Sequence, residues 1–349
     1  MLTFEQMLTP IWDTDIVYGE SLTMIKQPNG LCEAPLLFEA EEVIEVCSAD
    51  CKNVYKQDID YVLCNNKLRV LNGSTIPFFE EREIYSEHEL LPGCFPCCDG
   101  YLLHGEGSFF HDKQICVTYR CKKGQWQGVR PCSASNRLKN TFSKLKNGNR
   151  LDILLYGDSI SHGANASYLS NREPYQKPYG ELFCEGLSRK YKSGIHFINS
   201  SVSGKDTAWG IQNVDNIVND YFPDLVFLAF GMNDGWRTPV EFAKNIENII
   251  EIVLKNKYNT EFVLVATSTP NPLLTADEAK YYGNQILFKK ELDKIAEKYE
   301  GVAVADITGM QAFLHKKKRF IDTTGNNVNH PNDFFHRLYA QYLLEMFSE

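Results

Sequence analysis

The stretch Leu151-Asp-Ile-Leu-Leu-Tyr156-Gly157-Asp158-Ser159-Ile160-Ser161 decides how this chain is read. Its first six residues are a nearly unbroken apolar run, and Gly157 then permits a sharp exit into a hydroxyl-bearing turn. A strand that is apolar at consecutive positions, not alternate ones, is covered on both faces, as strands of a parallel sheet are. The same texture recurs C-terminally at residues 195–199, 225–230, 262–266 and 302–306. Between these runs the spacing turns helical. Phe242, Ile246, Ile249, Ile250 and Val253 share one face over 241–256, residues 276–299 read similarly, and 333–347 make a last helix. Strand and helix in alternation predict an α/β/α layer fold for residues 151–349.

Toward the N-terminus the texture changes. Short runs at 35–38, 43–46, 61–64, 68–71 and 115–119 are rich in Val, Ile and aromatics and broken by turn residues, a β-type signature. Asn65-Asn66 stands between two of them as a hairpin turn, because Asn tolerates positive φ. With no helical period visible, residues 1–135 are expected to form a smaller β-sandwich domain. Residues 136–150 are polar with one amphipathic turn and read as a linker or short docking helix.

A length of 349 residues suits two domains, at roughly 100–200 residues each. The formal net charge of −9 repels phosphate backbones and speaks against nucleic acid as a partner. The one basic run, Lys316-Lys317-Lys318-Arg319, reads as a solvated turn. The strongest apolar run, 225–230, falls far short of the roughly 20 residues of a membrane span. The N-terminus lacks a basic segment before its apolar residues, so the expectation is a cytoplasmic protein without a membrane. Eleven cysteines, an odd number and all but Cys184 before residue 133, point to reduced thiols. Cys94-Phe-Pro-Cys97-Cys98, with Cys116, Cys121 and Cys132 downstream, contains the single CxxC. No second pair repeats that spacing, so buried thiols are expected rather than zinc.

In an open parallel sheet, sites form beyond the carboxyl ends of the strands. The first strand here runs into Gly157-Asp158-Ser159, the second into Val202-Ser203-Gly204-Lys205-Asp206-Thr207, and the third into Gly231-Met232-Asn233-Asp234. A hydroxyl, a glycine turn and an amide at successive strand ends are what acyl transfer requires. Ser159 is the candidate nucleophile, and the N–H of Ser159, the N–H of Gly204 and the Asn233 side chain are candidate donors to an oxyanion. The base would be His330, which Pro331 keeps out of the last helix.

These blocks resemble those of the SGNH hydrolases, the GDSL-type esterase and lipase superfamily: Gly157-Asp158-Ser159-Ile160, then Gly204, then Gly231-Met232-Asn233-Asp234, then His330-Pro331. The resemblance covers about residues 151–349. It implies a flavodoxin-like α/β/α domain with Ser159 as nucleophile, His330 as base, and Gly204 and Asn233 completing the oxyanion hole. The β-rich region in front, together with Asn329-His330-Pro331-Asn332-Asp333, is similar to bacterial carbohydrate esterases with an N-terminal β-sandwich. One position departs from the pattern. The family's last block places Asp three residues before the His, and here that residue is Asn327. The expectation is a Ser–His dyad whose imidazole is oriented by Asn327 or a backbone carbonyl, with Asp333 and Asp322 as alternatives.

The expected activity is a serine esterase that removes small acyl groups, acetyl foremost, from a small-molecule acylated carbohydrate. It needs no cofactor and no metal. Trp209 and Trp236, on loops just past Gly204 and Asn233, are candidate platforms for a sugar ring. A thioesterase or lipase of the same superfamily is the alternative, and a non-catalytic carbohydrate-binding relative a further one. Self-association into a homo-oligomer stays open.

Overall fold

The computed structural model describes residues 1–87, 93–97, 100–275 and 282–348. Three strands dominate the N-terminal region: β1 (Ile16–Thr23), β2 (Ala40–Ser48) and β3 (Gln114–Cys121). They form an antiparallel sheet in the order β1-β3-β2, with Val54–Tyr55 on its far edge. Leu22, Val46, Ile115, Val117 and Tyr119 cluster in one apolar layer with Ala34, Tyr61 and Leu68 of a second, three-stranded sheet. The turn in that second sheet is Asn65-Asn66, with φ of 51° and 58°, as the sequence predicts. The run 35–38 is not a strand beyond Pro35. Its amides turn inward instead, Leu37 N donating to the Glu20 carboxylate at 3.0 Å and Phe38 N to the Tyr119 hydroxyl at 3.1 Å.

Residues 136–150 are more than a tether. Helix α1 (Lys139–Lys146) buries Thr141, Phe142 and Leu145. The Phe142 ring stacks on Phe347, and the amides of Asn140 and Thr141 donate to the Glu261 carboxylate at 2.9 and 2.8 Å.

From Leu151 the chain builds β4 (Leu151–Gly157), the short helix α2 (Ser159–His162), α3 (Tyr179–Tyr191), β5 (Ile195–Asn199), α4 (Thr207–Tyr221) and β6 (Leu225–Ala229). It continues with α5 (Pro239–Asn256), β7 (Glu261–Ala266), α6 (Gln285–Lys298), β8 (Val302–Asp306), α7 (Ile307–Leu314) and α8 (Asp333–Met346). Of the helical reading over 276–299, residues 276–281 lie outside those described. The five strands are parallel in the order β5-β4-β6-β7-β8, the doubly wound order of flavodoxin-like sheets. Odd positions of β4 (Leu151, Ile153, Leu155) face α3 and α8, and even positions (Leu154, Tyr156) face α4, α5 and α6. Period-2 alternation between two apolar layers explains why these strands read as continuous apolar runs.

The core beneath α3 and α8 continues into the N-terminal region. Val17, Leu22, Val117 and Trp12 belong to the same buried cluster as Phe183, Phe227, Leu338 and Tyr342. Of the basic run, Lys316 and Lys317 form the exposed turn the sequence suggests, while Lys318 and Arg319 are drawn into this joint. Lys318 has no exposed side-chain surface, and its ammonium donates to Glu20 at 2.6 Å and to the carbonyls of Pro35 and Ser21. Arg319 pairs with Asp322 at 2.7 Å and also donates to the Thr23 carbonyl. Buried cations persist only where such partners replace water. Among the described residues no helix is long and apolar enough to cross a membrane.

Candidate active site

Four loops at the carboxyl edge of the parallel sheet supply the site. Asp158, in extended backbone after β4, caps α2 by accepting from Ile160 N at 3.0 Å. Its other oxygen accepts from Met232 N at 3.2 Å, so one carboxylate ties the exit of β4 to the exit of β6. Burial pushes the Asp158 carboxyl up to about 7, against the pull of those backbone N–H groups. Ser159 follows as the first helical residue, and amides of a first turn have no intrahelical acceptor.

The hydroxyl of Ser159 and the imidazole of His330, 171 residues apart, meet with Oγ 2.9 Å from Nε2. His330 sits on a tight loop in front of α8. Gly325 N donates to the His330 carbonyl, and Asn326 Oδ1 accepts from the amides of Val328, Asn329 and His330 at 2.9–3.0 Å.

Of the residues expected to serve an oxyanion, Gly204 lies in an exposed left-handed turn with φ 75°. Asn233 is buried, and its Nδ2 donates to the Lys205 carbonyl at 3.0 Å. An amide nitrogen carries two hydrogens, so one remains to be offered to a substrate. Asp234, immediately after it, accepts from the amide and hydroxyl of Thr207, which holds the loops after β5 and β6 together.

Asn327 is not brought to the imidazole. Its Nδ2 donates to the Leu103 carbonyl at 3.0 Å, and its own carbonyl accepts from Asn271 at 2.9 Å, so it anchors the loop instead of the ring. Asp333 is turned to Ser167 N, and Asp322 is taken up by Arg319, Lys318 and Thr23 N. The groups within reach of His330 Nδ1 are Asn165 Oδ1 at 2.8 Å and Glu106 Oε2 at 3.3 Å. Neither stood out in the sequence. Their only local marks are nearby glycines, on either side of Glu106 in His104-Gly105-Glu106-Gly107 and two residues before Asn165 in Gly163-Ala164-Asn165.

The two tryptophans part company. Trp209 is half-buried against Tyr156, with ring centroids 5.8 Å apart. Trp236 is 56% exposed, and the Arg237 guanidinium lies 4.2 Å from its ring centre. Among the described residues no cluster of His, Cys, Asp or Glu could hold a metal ion, while Cys98 lies outside them.

Several known proteins are similar to this chain. A two-domain esterase active on acetylated mannans has a structure 20% identical to this chain, with a TM-score of 0.48, covering 64% of this chain and 56% of that one. A catalytic mutant of an acetylxylan esterase from Geobacillus stearothermophilus is 18% identical, with a TM-score of 0.46, covering 57% and 94%. An arylesterase from Vibrio mimicus is 28% identical over 103 residues, 29% of this chain and 48% of that protein. The chain thus spans about half the length of the curated relative it matches. The model of the GDSL-like lipase/acylhydrolase family matches residues 155–338, a stretch that includes Ser159, Gly204, Asn233 and His330. With more than half of its length matched by that model, the chain belongs to the GDSL-like lipase/acylhydrolase family.

Proposed function

We propose that this protein is a serine esterase that releases small acyl groups, acetyl foremost, from carbohydrate through a covalent acyl-enzyme. The observation that carries the reading is the 2.9 Å contact between Ser159 Oγ and His330 Nε2 at the sheet edge where the family blocks converge. The Ser159 hydroxyl donates to Nε2, so its proton passes to the imidazole as Oγ bonds to the ester carbon. Negative charge then grows on the carbonyl oxygen. The amides of Ser159 and Gly204 and the second hydrogen of Asn233 Nδ2 are the donors offered to it. The imidazolium returns the proton to the departing alcohol, and water repeats the sequence on the acyl-serine.

The side chains that meet the far side of the His330 ring, Asn165 and Glu106, are both polar. Such surroundings suit a hydroxyl-rich leaving group better than a fatty chain, and exposed Trp236 offers a face for a sugar ring.

The test is hydrolysis of p-nitrophenyl acetate and of an acetylated oligosaccharide by the wild type and by Ser159→Ala. The expected loss in kcat for the variant is about 10⁴-fold or more. Unchanged turnover in the variant would end the proposal, and preference for octanoyl over acetyl esters would move it to a lipase.

A further inference from the structure

Both ring nitrogens of His330 are engaged, and their partners differ in kind. Nε2 meets Ser159 Oγ, while Nδ1 meets Asn165 Oδ1 at 2.8 Å and Glu106 Oε2 at 3.3 Å. The Asn165 amide has one consistent orientation. Its Nδ2 donates to the carbonyls of Gly107 at 3.0 Å and Gly325 at 3.1 Å, so the atom turned to His330 is the oxygen. The approach is close enough that a Cβ at position 325 would lie 2.4 Å from Asn165 Cβ, which only glycine avoids. An amide oxygen and a carboxylate both accept and never donate. Nδ1 therefore carries the hydrogen, and Nε2 turns its lone pair to the serine, the tautomer a general base needs.

Glu106 comes from the N-terminal region, between the strand Gly100–Leu102 and β3. Its Oε1 accepts from Asn326 Nδ2 at 3.0 Å and from His104 Nε2 at 3.1 Å, which leaves Oε2 for the imidazole. Asn326 is the same side chain whose oxygen gathers the amides around His330, so one residue sets both the ring's loop and the carboxylate's place. Partial burial pushes the Glu106 carboxyl up, but hydrogen bonds from His104, His330 and Asn326 more than reverse this and hold it well below the usual carboxylate range.

The geometry points to a division of labour at His330, in which Asn165 fixes the tautomer and Glu106, lent by the N-terminal region, is the positioning residue whose charge stabilises the imidazolium. The inference rests on the esterase reading above and adds the missing third group to it. As Ser159 Oγ bonds to the acyl carbon, its proton moves to Nε2, and both ring nitrogens then carry hydrogen. Nδ1–H is shared by Asn165 and Glu106, and the carboxylate keeps its charge throughout. When the ester C–O bond breaks, the Nε2 proton leaves with the alcohol. In serine proteases an Asp-to-Asn change at the third member costs about 10⁴ because the imidazole takes the wrong tautomer. With Asn165 holding the tautomer here, loss of the Glu106 charge alone should cost less.

The experiment pairs kinetics with a signal that does not depend on turnover. Glu106→Gln is expected to lower kcat on p-nitrophenyl acetate about 10- to 100-fold, with KM held. Because Glu106 is half-exposed, formate should restore part of the kcat lost by Glu106→Ala, which a merely structural role would not permit. The far-downfield imidazole N–H proton of the resting protein, read by NMR, should move in Glu106→Gln. Wild-type kcat in Glu106→Gln, a loss confined to KM, or Glu106→Ala indifferent to formate would each overturn the inference. If the wild type hydrolyses no ester and Ser159 resists a fluorophosphonate, the esterase reading falls. The N–H signal then decides the Glu106 contact by itself: a shift in Glu106→Gln sustains it and an unmoved signal overturns it.

Discussion

Two buried acids, one in each half of the molecule, are handled in opposite ways. Glu20, on β1 in the N-terminal region, is completely buried and accepts from the Lys318 ammonium, the Tyr119 hydroxyl and Leu37 N. Asp158, in the α/β half, is also completely buried, but the bonds it accepts come from the backbone N–H groups of Ile160 and Met232. The first acid has its counter-charge from the other half of the chain. The second has dipoles alone and a second carboxyl, Asp234, close enough to raise it further. The difference teaches where each half spends charge. In the N-terminal region charge joins two bodies, through Glu20 to Lys318 and Glu106 to His330. In the α/β half, amides, a buried acid and the Arg237 pairs with Asp206 and Asp234 hold loops in place around Ser159.

The largest effect should come from breaking the joint. Lys318→Ala leaves Glu20 buried without a cation, and removal of one partner of a buried pair costs about 3–5 kcal/mol. Urea unfolding of Lys318→Ala against wild type measures it. The double variant Glu20→Gln, Lys318→Met should recover most of that loss, since an apolar or neutral replacement of the whole pair is often close to neutral. A loss below about 1 kcal/mol for Lys318→Ala would mean that the apolar layer alone holds the two regions together.

That joint also marks the limit of what the sequence discloses. The strands of the α/β half were legible because both faces of the sheet are apolar, and 195–199 and 302–306 match the observed strands end to end. So was the buried face of α5, where Phe242, Ile246, Ile249, Ile250 and Val253 are the buried residues. Periodicity reports burial along one element, and these elements bury their own apolar sides. Partners across 200 or 300 residues leave no periodic mark. Lys316-Lys317-Lys318-Arg319 reads as solvent-facing because charge normally is, and only the position of Glu20 reverses that for Lys318. Glu106 escapes for the same reason. It is an ordinary surface acid until the loop of His330 closes onto it, and the position that the family pattern marks, Asn327, was drawn instead to Leu103.

The contrast between the two acids sharpens under pH. Asp158 stands at about 7 when folded and near 3.9 in an unfolded chain. Between those values the unfolded state releases a proton that the folded state keeps, so this residue's contribution to stability falls as pH rises from about 4 to 7, by up to about 4 kcal/mol. Above that range both states are ionised and the penalty is constant. Asp158→Asn removes the titration, so its stability relative to wild type should climb between pH 4 and 7 and level off beyond about 8. Denaturant midpoints across that range decide the matter. A stability difference that does not vary with pH would mean the Asp158 carboxylate is fully compensated by its amides.

The smallest expected effect separates packing from contact within the α/β half itself. Trp209 and Trp236 follow two successive site loops, yet Trp209 lies tilted against the core at Tyr156 while Trp236 stands open beneath Arg237. Arg237 is itself pinned to Asp206 at 2.7 Å and Asp234 at 2.9 Å, so the exposed ring is held by the two loops that carry Gly204 and Asn233. A ring fixed this way can stack on a sugar without first losing much freedom, and such contacts are worth about 0.5–1.5 kcal/mol. Trp236→Ala should therefore raise KM for an acetylated oligosaccharide about three- to tenfold while the melting temperature holds. Trp209→Ala should do the reverse, lowering the melting temperature through the contacts it removes from Tyr156. If the two variants trade these signatures, the saccharide sits on the Gly204 side of the serine and the Asn233 loop serves the oxyanion alone.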